Sequence, residues 1–335
     1  MPGERQEGKR IIKAKIRRRD VKENAVSPLV GAVMIKQKKR PFFTALHLMM
    51  LPGLIYVIIN SYIPMAGILL AFKRIDYSIG IFKSPFIGLD NFRFLFMTRD
   101  AFIMTRNTIL YNLAFIALNT LMGLIVGILL SEILAKVFQR IYQTLILLPQ
   151  LFSMIIIAYI VFAFLSTDAG FVNKVILGPG NEINFYSVPK YWPFILTIVQ
   201  VWNRLGYNSI IYLSAIVSVD RNLYEAATVD GVNRFKQVFY VTIPSIKPTM
   251  MTLILIAVGR IFYSDFGLFL QVPREAGALF DVTQTIDTYV YRALLQMNNI
   301  GMASAAGSFQ AIVGFCVILL VNFMVRKVDP DSALF

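Results

Sequence analysis

Charged side chains interrupt two stretches of this sequence that are otherwise apolar. Arg204 lies within residues 191–218, and Arg260 and Asp265 lie within residues 246–270. A charge inside a membrane is costly, so such residues mark ion pairs or functional sites. Arg260 and Asp265 are five positions apart and share no ideal helix face. Pairing with each other, with Arg204 or with a second chain therefore stays open.

Amide, hydroxyl and aromatic side chains, including that of Phe266, lie in the same two stretches as these charges. Aromatic faces suit C–H surfaces, and amides and hydroxyls suit the hydroxyl groups of a polar ligand. The alternative is that these groups only join helices and anchor them at the membrane interface. Cations along a ligand path would suit an acidic ligand. The candidates for this path are Gln200, Trp202, Asn203, Arg204, Tyr207, Asn208, Arg260, Tyr263, Ser264 and Asp265.

A second informative segment, residues 220–248, is predicted to form two short helices outside the membrane. Asp220 can cap the first helix, and Gly231 suits the left-handed turn that ends it. A pair of alanines lets another surface approach the backbone closely, and Glu225 beside them is available to a basic partner. The segment is typical of an element that docks on another protein. The alternative is a helix that only lies on lipid.

The composition indicates what kind of protein must position these residues. Of 335 residues, 57% are hydrophobic and 16% are charged, and the mean hydropathy is +0.64. These values argue against a soluble enzyme, a disordered protein or a coiled coil, and they favour an integral membrane protein. A single cysteine, Cys316, excludes an intramolecular disulfide. A single histidine, His47, excludes a cluster of histidine ligands.

The hydropathy pattern predicts an all-α integral membrane fold with six transmembrane helices. Lysine and arginine are concentrated in residues 1–41 and in the loops on the same side, so both termini are expected in the cytoplasm. Small residues four apart, such as Gly123 and Gly127, are interpreted as helix packing. The predicted spans are about 42–71, 106–133, 141–165, 191–218, 246–270 and 305–325.

The chain is accordingly divided into a basic cytoplasmic arm (1–41), a transmembrane domain (42–327) and a short cytoplasmic tail (328–335). The arm carries much of the net charge of +14, which suits anionic lipid headgroups. Its glycine and lysine spacing resembles a phosphate-binding loop, but Arg10 stands where serine or threonine must hold Mg²⁺. We therefore expect this chain to bind no nucleotide, metal or other cofactor.

The segment 220–248 resembles the EAA loop of permease subunits of binding-protein-dependent ABC importers. That pattern has Glu-Ala-Ala, three residues, Gly, nine residues and an Ile-x-Leu-Pro-like end. This chain has Glu225, Ala226, Ala227, Gly231, Val241, Ile243 and Pro244 at those positions. Residues 62–67, 86–92, 106–108, 143–149, 287–292 and 332–335 are similar to permeases for complex oligosaccharides and polysaccharide fragments.

The resemblance, which covers about 290 residues, implies the six-helix type I ABC importer permease (MetI-like) fold in a bacterial cytoplasmic membrane. It implies a second homologous permease subunit, usually different, and two ABC ATPase subunits that carry ATP and Mg²⁺. It also implies an extracytoplasmic solute-binding protein that delivers an oligosaccharide. The aromatic, amide and hydroxyl groups of the path would suit such a sugar, and its cations would suit an acidic sugar such as a uronate. The chain itself is then no enzyme. An ion-coupled secondary transporter is the alternative. The implied coupling helix contacts the ATPase through Tyr224, Glu225, Ala226, Ala227, Asp230 and Gly231.

Overall fold

Helices dominate the computed structural model, which describes residues 42–81 and 83–328. Within this described part, extended pairing is limited to one antiparallel bridge between Lys73 and Phe86. The chain separates into two units, residues 1–65 and residues 66–335. The predicted basic arm and almost all of the predicted C-terminal tail lie outside the described residues.

Helix α1 (Phe42–Val57) belongs to the first unit and begins where the predicted first span begins. It continues through a wider π-helical turn, Ile58–Tyr62, into Ile63–Met65. The Ile63 N–H donates to the Ile58 carbonyl, which closes this wider turn. Next in the chain, Pro64 has no N–H to donate, and proline is a common cause of such irregularity in a helix.

The second unit contains the remaining long helices and several short ones. Its principal helices are α2 (Arg99–Ser131), α3 (Lys136–Leu151), α4 (Met154–Leu165), α5 (Trp192–Val217), α6 (Arg221–Val229), α7 (Ile243–Gly259), α8 (Phe266–Gln271), α9 (Ile286–Leu295) and α10 (Ile300–Val328).

Helices α2 and α5 pack closely because glycines remove the side chains between them. A Cβ added to Gly123 would lie 2.9 Å from Asn208 Cβ, and one added to Gly127 would lie 3.0 Å from Tyr212 Cβ. Gly206 likewise lets α5 approach the backbone of α3, because a Cβ there would lie 2.4 Å from the Ile146 carbonyl oxygen. The interpretation of the first two glycines as packing residues is confirmed.

Four helical segments in the described part of the chain are long and apolar enough to cross a membrane, and a bent pair makes a fifth. Helix α5 has 26 residues but carries Gln200, Asn203 and Arg204 at its centre, and it is not among them. The predicted fourth span therefore exists as a helix of spanning length with a polar middle. The four segments are His47–Phe72, Arg99–Ser131, Arg234–Gly259 and Ile300–Lys327.

The predicted third span, 141–165, is not one continuous helix. Helices α3 and α4 meet at a bend of 95°. Pro149 lacks an N–H and weakens the end of α3, where Phe152 is already extended. The Ser153 side chain then accepts the Ile156 N–H and caps α4 as a new helix.

The predicted fifth span, 246–270, is also interrupted. Helix α7 begins earlier, at Ile243, and ends at Gly259, and α8 begins only at Phe266. We call residues 260–265 the helix break. Asp265 at its end accepts the Leu268 N–H and caps α8, as short acidic side chains do at helix starts. The charged residues therefore end one helix and begin another.

Apolar cores lie on both sides of the helix break. One core contains Ile261, Phe262 and Ile286 together with small residues of α10. A second core contains Trp192, with the Trp192 indole N–H donating to the Phe185 carbonyl at 2.7 Å. The break is thus fixed between two packed regions.

Candidate functional site

A cavity of about 520 Å³ opens where the helix break faces the middle of α2 and α5. We call it the central cavity. It brings together most of the polar path that the sequence predicts. The predicted residues in its lining are Gln200, Arg204, Arg260, Tyr263, Ser264 and Asp265, joined by Phe266 and by Asn112 and Asn119 of α2.

One of the pairings that the sequence leaves open occurs in this lining. Arg204 Nη2 lies 3.3 Å from Asp265 Oδ2. The Arg204 side chain keeps 44% of its surface exposed and that of Asp265 keeps 21%. Asp265 Oδ1 accepts the Leu268 N–H at 3.2 Å, so the carboxylate is fixed at both oxygens. Arg204 is the more accessible member of the pair.

Arg260 is the second cation of the central cavity. Its backbone ends α7, with its N–H donating to the Ala257 carbonyl, and its side chain is exposed. Among residues 42–81 and 83–328, no carboxylate lies within ion-pair distance of its guanidinium and no hydrogen bond engages it. Arg260 can therefore accept an anionic group of a ligand without first losing a partner.

Two side chains that the sequence analysis did not select hold the helix break in place. Asp287 Oδ2 accepts the Ser264 N–H at 2.6 Å and lies 2.7 Å from the Ser264 hydroxyl. Asn112 Nδ2 donates to the carbonyls of Ile261 and Tyr263, at 2.8 and 3.0 Å. These bonds satisfy backbone groups that would otherwise be unpaired in a low-dielectric region.

A third residue outside the predicted path, Gln310 of α10, completes the network. Its amide donates to the Phe262 carbonyl and lies 3.2 Å from both Asp287 oxygens. The sequence does contain a signal for Asn112, Asp287 and Gln310, since amides and carboxylates are rare in apolar spans. Their partners lie far away in the sequence, so the pattern did not indicate what they bind. Ser264 is largely occupied by this network.

Other predicted path residues lie elsewhere. Asn203 is buried and donates to the Pro149 carbonyl at 2.9 Å, so it joins α5 to α3. Asn208 packs against Gly123 of α2. Trp202 and Tyr207 are exposed and do not line the central cavity. For Asn203 and Asn208, the structure therefore favours the alternative of helix contacts over substrate contact.

Helix α6 has both of the ends that the sequence predicts. Asp220 Oδ1 accepts the Asn222 N–H at 2.9 Å, which confirms the N-cap. Gly231 has φ of +75°, which confirms the left-handed turn. The Val232 N–H reaches back to the Ala227 carbonyl at 2.9 Å and closes a typical C-terminal cap.

The predicted coupling residues divide into an outward group and one anchor. Glu225, Ala226 and Asp230 are exposed, and Ala227 is half-buried. Tyr224 instead points back toward the spanning region, where its hydroxyl lies 3.0 Å from that of the buried Thr242. The outward face is apolar as well as charged, since Val229 is 88% exposed. Tyr224 therefore holds the helix, while the exposed residues can contact a partner, Glu225 together with Arg221, whose Nε lies 3.5 Å from its carboxylate.

Within residues 42–81 and 83–328, no three His, Cys, Asp or Glu side chains are grouped to hold a metal ion. What the two sites can do is bind a polar ligand inside the helical region and dock a rigid, exposed helix on another protein.

These features define a membrane permease, and sequence comparison gives its family. Residues 119–332 match the profile of the binding-protein-dependent transport system inner membrane component, and the chain belongs to this family. The match and the relatives below confirm the resemblance, the permease fold class and the assignment to transport. They also support a multi-pass membrane protein.

Two relatives from Bacillus subtilis (strain 168) and one solved structure are similar over most of the chain. The polygalacturonan/rhamnogalacturonan transport system permease protein YteP is 32% identical over 319 residues, which cover 92% of this chain and 98% of YteP. Protein LplB is 31% identical over 289 residues, which cover 86% of this chain and 90% of LplB.

The solved structure is that of a bacterial ABC transporter involved in the import of the acidic polysaccharide alginate. The matching chain is 31% identical, with a TM-score of 0.78, and the match covers 88% of this chain and 98% of that one. A second crystal structure holds the bacterial alginate transporter in complex with an alginate pentasaccharide-bound periplasmic protein.

Proposed function

We propose that this chain is one permease subunit of an ATP-driven importer for oligosaccharides that carry uronate residues. The observation that carries the proposal is Arg260, an exposed guanidinium without a partner in the described chain, beside Arg204 in the central cavity. Arginine matches the planar geometry of a carboxylate and binds it through two parallel hydrogen bonds. A neutral sugar would leave Arg260 without a counter-charge.

Each kind of group in the lining has a role in this proposal. Arg260 binds a substrate carboxylate directly, and Arg204 exchanges Asp265 for a substrate carboxylate when one enters. The Gln200 amide, to which Asn119 donates at 3.0 Å, keeps its own N–H groups for sugar hydroxyls. Tyr263 presents an aromatic ring at the same cavity.

The similar proteins support an acidic substrate independently of the geometry. YteP is named for polygalacturonan and rhamnogalacturonan transport, and the solved transporter imports alginate. Polygalacturonan and alginate are both polyuronates, so each repeats a carboxylate along its chain. By analogy, an extracytoplasmic binding protein delivers the oligosaccharide to this chain.

The energy source lies on other subunits in this proposal. Helix α6 docks on one of two cytoplasmic ATPase subunits through Glu225, Ala226, Ala227, Asp230 and Gly231, and Tyr224 holds it to the spanning region. The ATPases bind ATP and Mg²⁺, and a second permease subunit completes the path. Both termini then lie in the cytoplasm, as the charge distribution favours.

Transport measurements test the substrate. The complete transporter is reconstituted in vesicles with its binding protein, and uptake of trigalacturonate is compared with uptake of the same trimer after carboxyl reduction. Arg260→Gln is expected to lower trigalacturonate uptake about tenfold, the scale of one charge-assisted bond, and to change uptake of the reduced trimer little. Arg99→Gln, an exposed arginine outside the cavity, is the matched control. Equal loss for both trimers would contradict the proposed role.

ATPase measurements test the energy source. Loaded binding protein is expected to stimulate ATP hydrolysis by the wild-type complex. The variant Glu225→Ala with Gly231→Pro is expected to lose this stimulation because α6 loses its charge and its terminating turn. Uptake that follows an ion gradient without ATP would instead support a secondary transporter.

A further inference from the structure

A second cavity, of about 330 Å³, lies between the α4 helix and the segment that follows α8. We call it the outer cavity. Its polar and aromatic lining consists of Tyr159, Gln271, Arg274, Glu275 and Tyr291. Nothing in the proposed path so far uses these residues.

The outer cavity adjoins the central cavity. Phe266 lines the central cavity and Tyr291 lines the outer one, and their ring centroids lie 5.1 Å apart. Helix α8 leads from Phe266 at one cavity to Gln271 at the other, a distance of about 7.5 Å at the usual rise per residue. The ring pair is therefore a wall that the two cavities share, and a long linear ligand that occupies both must run beside it.

Arg274 is held at the outer cavity by unusual backbone geometry. Arg274 and Glu275 have φ of +56° and +50°, a region that residues other than glycine rarely adopt. Consecutive residues of this kind are often found at functional sites. The Arg274 guanidinium lies 4.1 Å over the ring of Phe162, and within the described chain no carboxylate pairs with it.

The two cavities share several kinds of group. Each has one carboxylate that the protein itself engages, Asp265 by Arg204 and Glu275 by the Gln296 amide at 3.4 Å. Each has an arginine without an ion-pair partner in the described residues, Arg260 or Arg274, and each has a glutamine amide and a tyrosine ring. A polyuronate repeats a carboxylate, hydroxyls and a C–H face along its chain. A protein that binds several of its rings needs this set of groups more than once.

We propose that the outer cavity is a second subsite, which binds the uronate rings that follow the ring held in the central cavity. This inference rests on the proposed function. Arg274 binds a carboxylate of the trailing rings, Gln271 binds hydroxyls, and Tyr159 and Tyr291 cover the C–H faces. The subsite makes the permease favour longer oligosaccharides over dimers.

Chain-length selectivity tests the subsite in the complete reconstituted transporter. Initial uptake of radiolabelled digalacturonate and pentagalacturonate is measured for wild type, Arg274→Gln and Arg274→Lys. Arg274→Gln is expected to lower pentamer uptake about fivefold while dimer uptake stays within about twofold, since a charge-assisted bond to the trailing rings is lost. Arg274→Lys keeps the charge and is expected to retain most pentamer uptake. Arg99→Gln is the control for loss of an exposed cation.

A second variant distinguishes loss of the subsite from a local folding defect at Arg274 and Glu275, the residues with positive φ. Tyr159→Leu changes an exposed side chain in a regular helix and is expected to show the same selective loss of pentamer uptake. Equal losses for dimer and pentamer, or no loss in either variant, would overturn the subsite, as would a selective loss that also occurs in Arg99→Gln. If the wild type transports neither oligomer, the proposed function itself fails, and the subsite with it.

Discussion

Helix α6 and the helix break are both short polar elements, but they are stabilised in different ways. The contacts of α6 are local, such as Asp220 with Asn222 and Tyr224 with Thr242. Those of the helix break come from distant parts of the chain. Asn112 reaches a carbonyl 149 positions away, and Arg204 pairs with a carboxylate 61 positions away.

This difference matches what each element has to do. A docking helix must keep its shape while its surroundings move, so a self-contained capped helix suits it. A binding site must place groups from several helices around one ligand, so its backbone is fixed by each of those helices. We therefore expect mutations of the side chains that hold the break, such as Asp287, to affect the whole fold, and mutations in α6 to affect coupling alone.

The largest expected effect is at Asp287. Asp287→Ala removes the acceptor of the Ser264 N–H and leaves that group unpaired, while the Ser264 hydroxyl keeps Thr285 and the Gln310 amide keeps the Phe262 carbonyl. Bonds to a charged group contribute about 1.5–3 kcal/mol each, so we expect a loss of about 3 kcal/mol in the free energy of unfolding. Thermal denaturation of the purified complex measures this, and uptake should fall with it.

Two variants sharpen the test at Asp287. Asp287→Asn keeps an acceptor oxygen and should lose less stability than Asp287→Ala. Asp281→Asn changes an exposed carboxylate nearby in the sequence and should have almost no effect. If Asp287→Ala is as stable as wild type, the break is held by its apolar cores and not by this carboxylate.

Local contacts could be predicted from the sequence, and distant contacts could not. Both caps of α6 were predicted to the residue, because a cap depends on one side chain and its immediate neighbours. The polar path was predicted in outline, and the central cavity does contain Arg204, Arg260 and Asp265. The predicted third and fifth spans each contain a helix boundary that the sequence analysis did not locate. Hydropathy sums over a window and does not register where Ser153 or Asp265 begins a new helix.

The residues that the sequence analysis missed depend on tertiary contacts. Nothing near Asn112 in the sequence indicates that its amide will meet the Ile261 carbonyl, and Asp287 was noted only as part of a segment similar to sugar permeases. Conversely, Asn203 has the right chemistry for a sugar but is buried against Pro149. Residue type predicts what a side chain can bind, and packing decides whether a ligand can reach it.

A smaller effect is expected at the ion pair of the central cavity. Asp265→Asn keeps the cap of α8, because asparagine caps as well as aspartate, but it frees Arg204 for the substrate. A partly exposed pair contributes about 1 kcal/mol or less. We therefore expect the preference for trigalacturonate over its carboxyl-reduced analogue to rise up to about fivefold in competitive uptake.

The double variant Arg204→Gln with Asp265→Asn is the matched control for that prediction. It carries the same change at Asp265 but has no arginine to free, so the preference should not rise. An equal increase in the single and double variants would mean that Arg204 does not contact the substrate. Equal losses of both sugars in Asp265→Asn would mean that the ion pair mainly positions α8.

The smallest expected effect is at Gly231, where a methyl group meets open space and the cost comes only from the backbone. At φ of +75°, Gly231→Ala should destabilise the end of α6 by about 1 kcal/mol, with no change in the central cavity. Gly307→Ala adds the same methyl group in open space within α10, without positive φ, and should be neutral or slightly stabilising. The expected result is weaker ATPase stimulation by loaded binding protein in Gly231→Ala alone, with the preference for acidic over neutral sugar unchanged. A shift in that preference would show that a change in α6 alters binding in the central cavity. The two elements would then not be stabilised independently of each other.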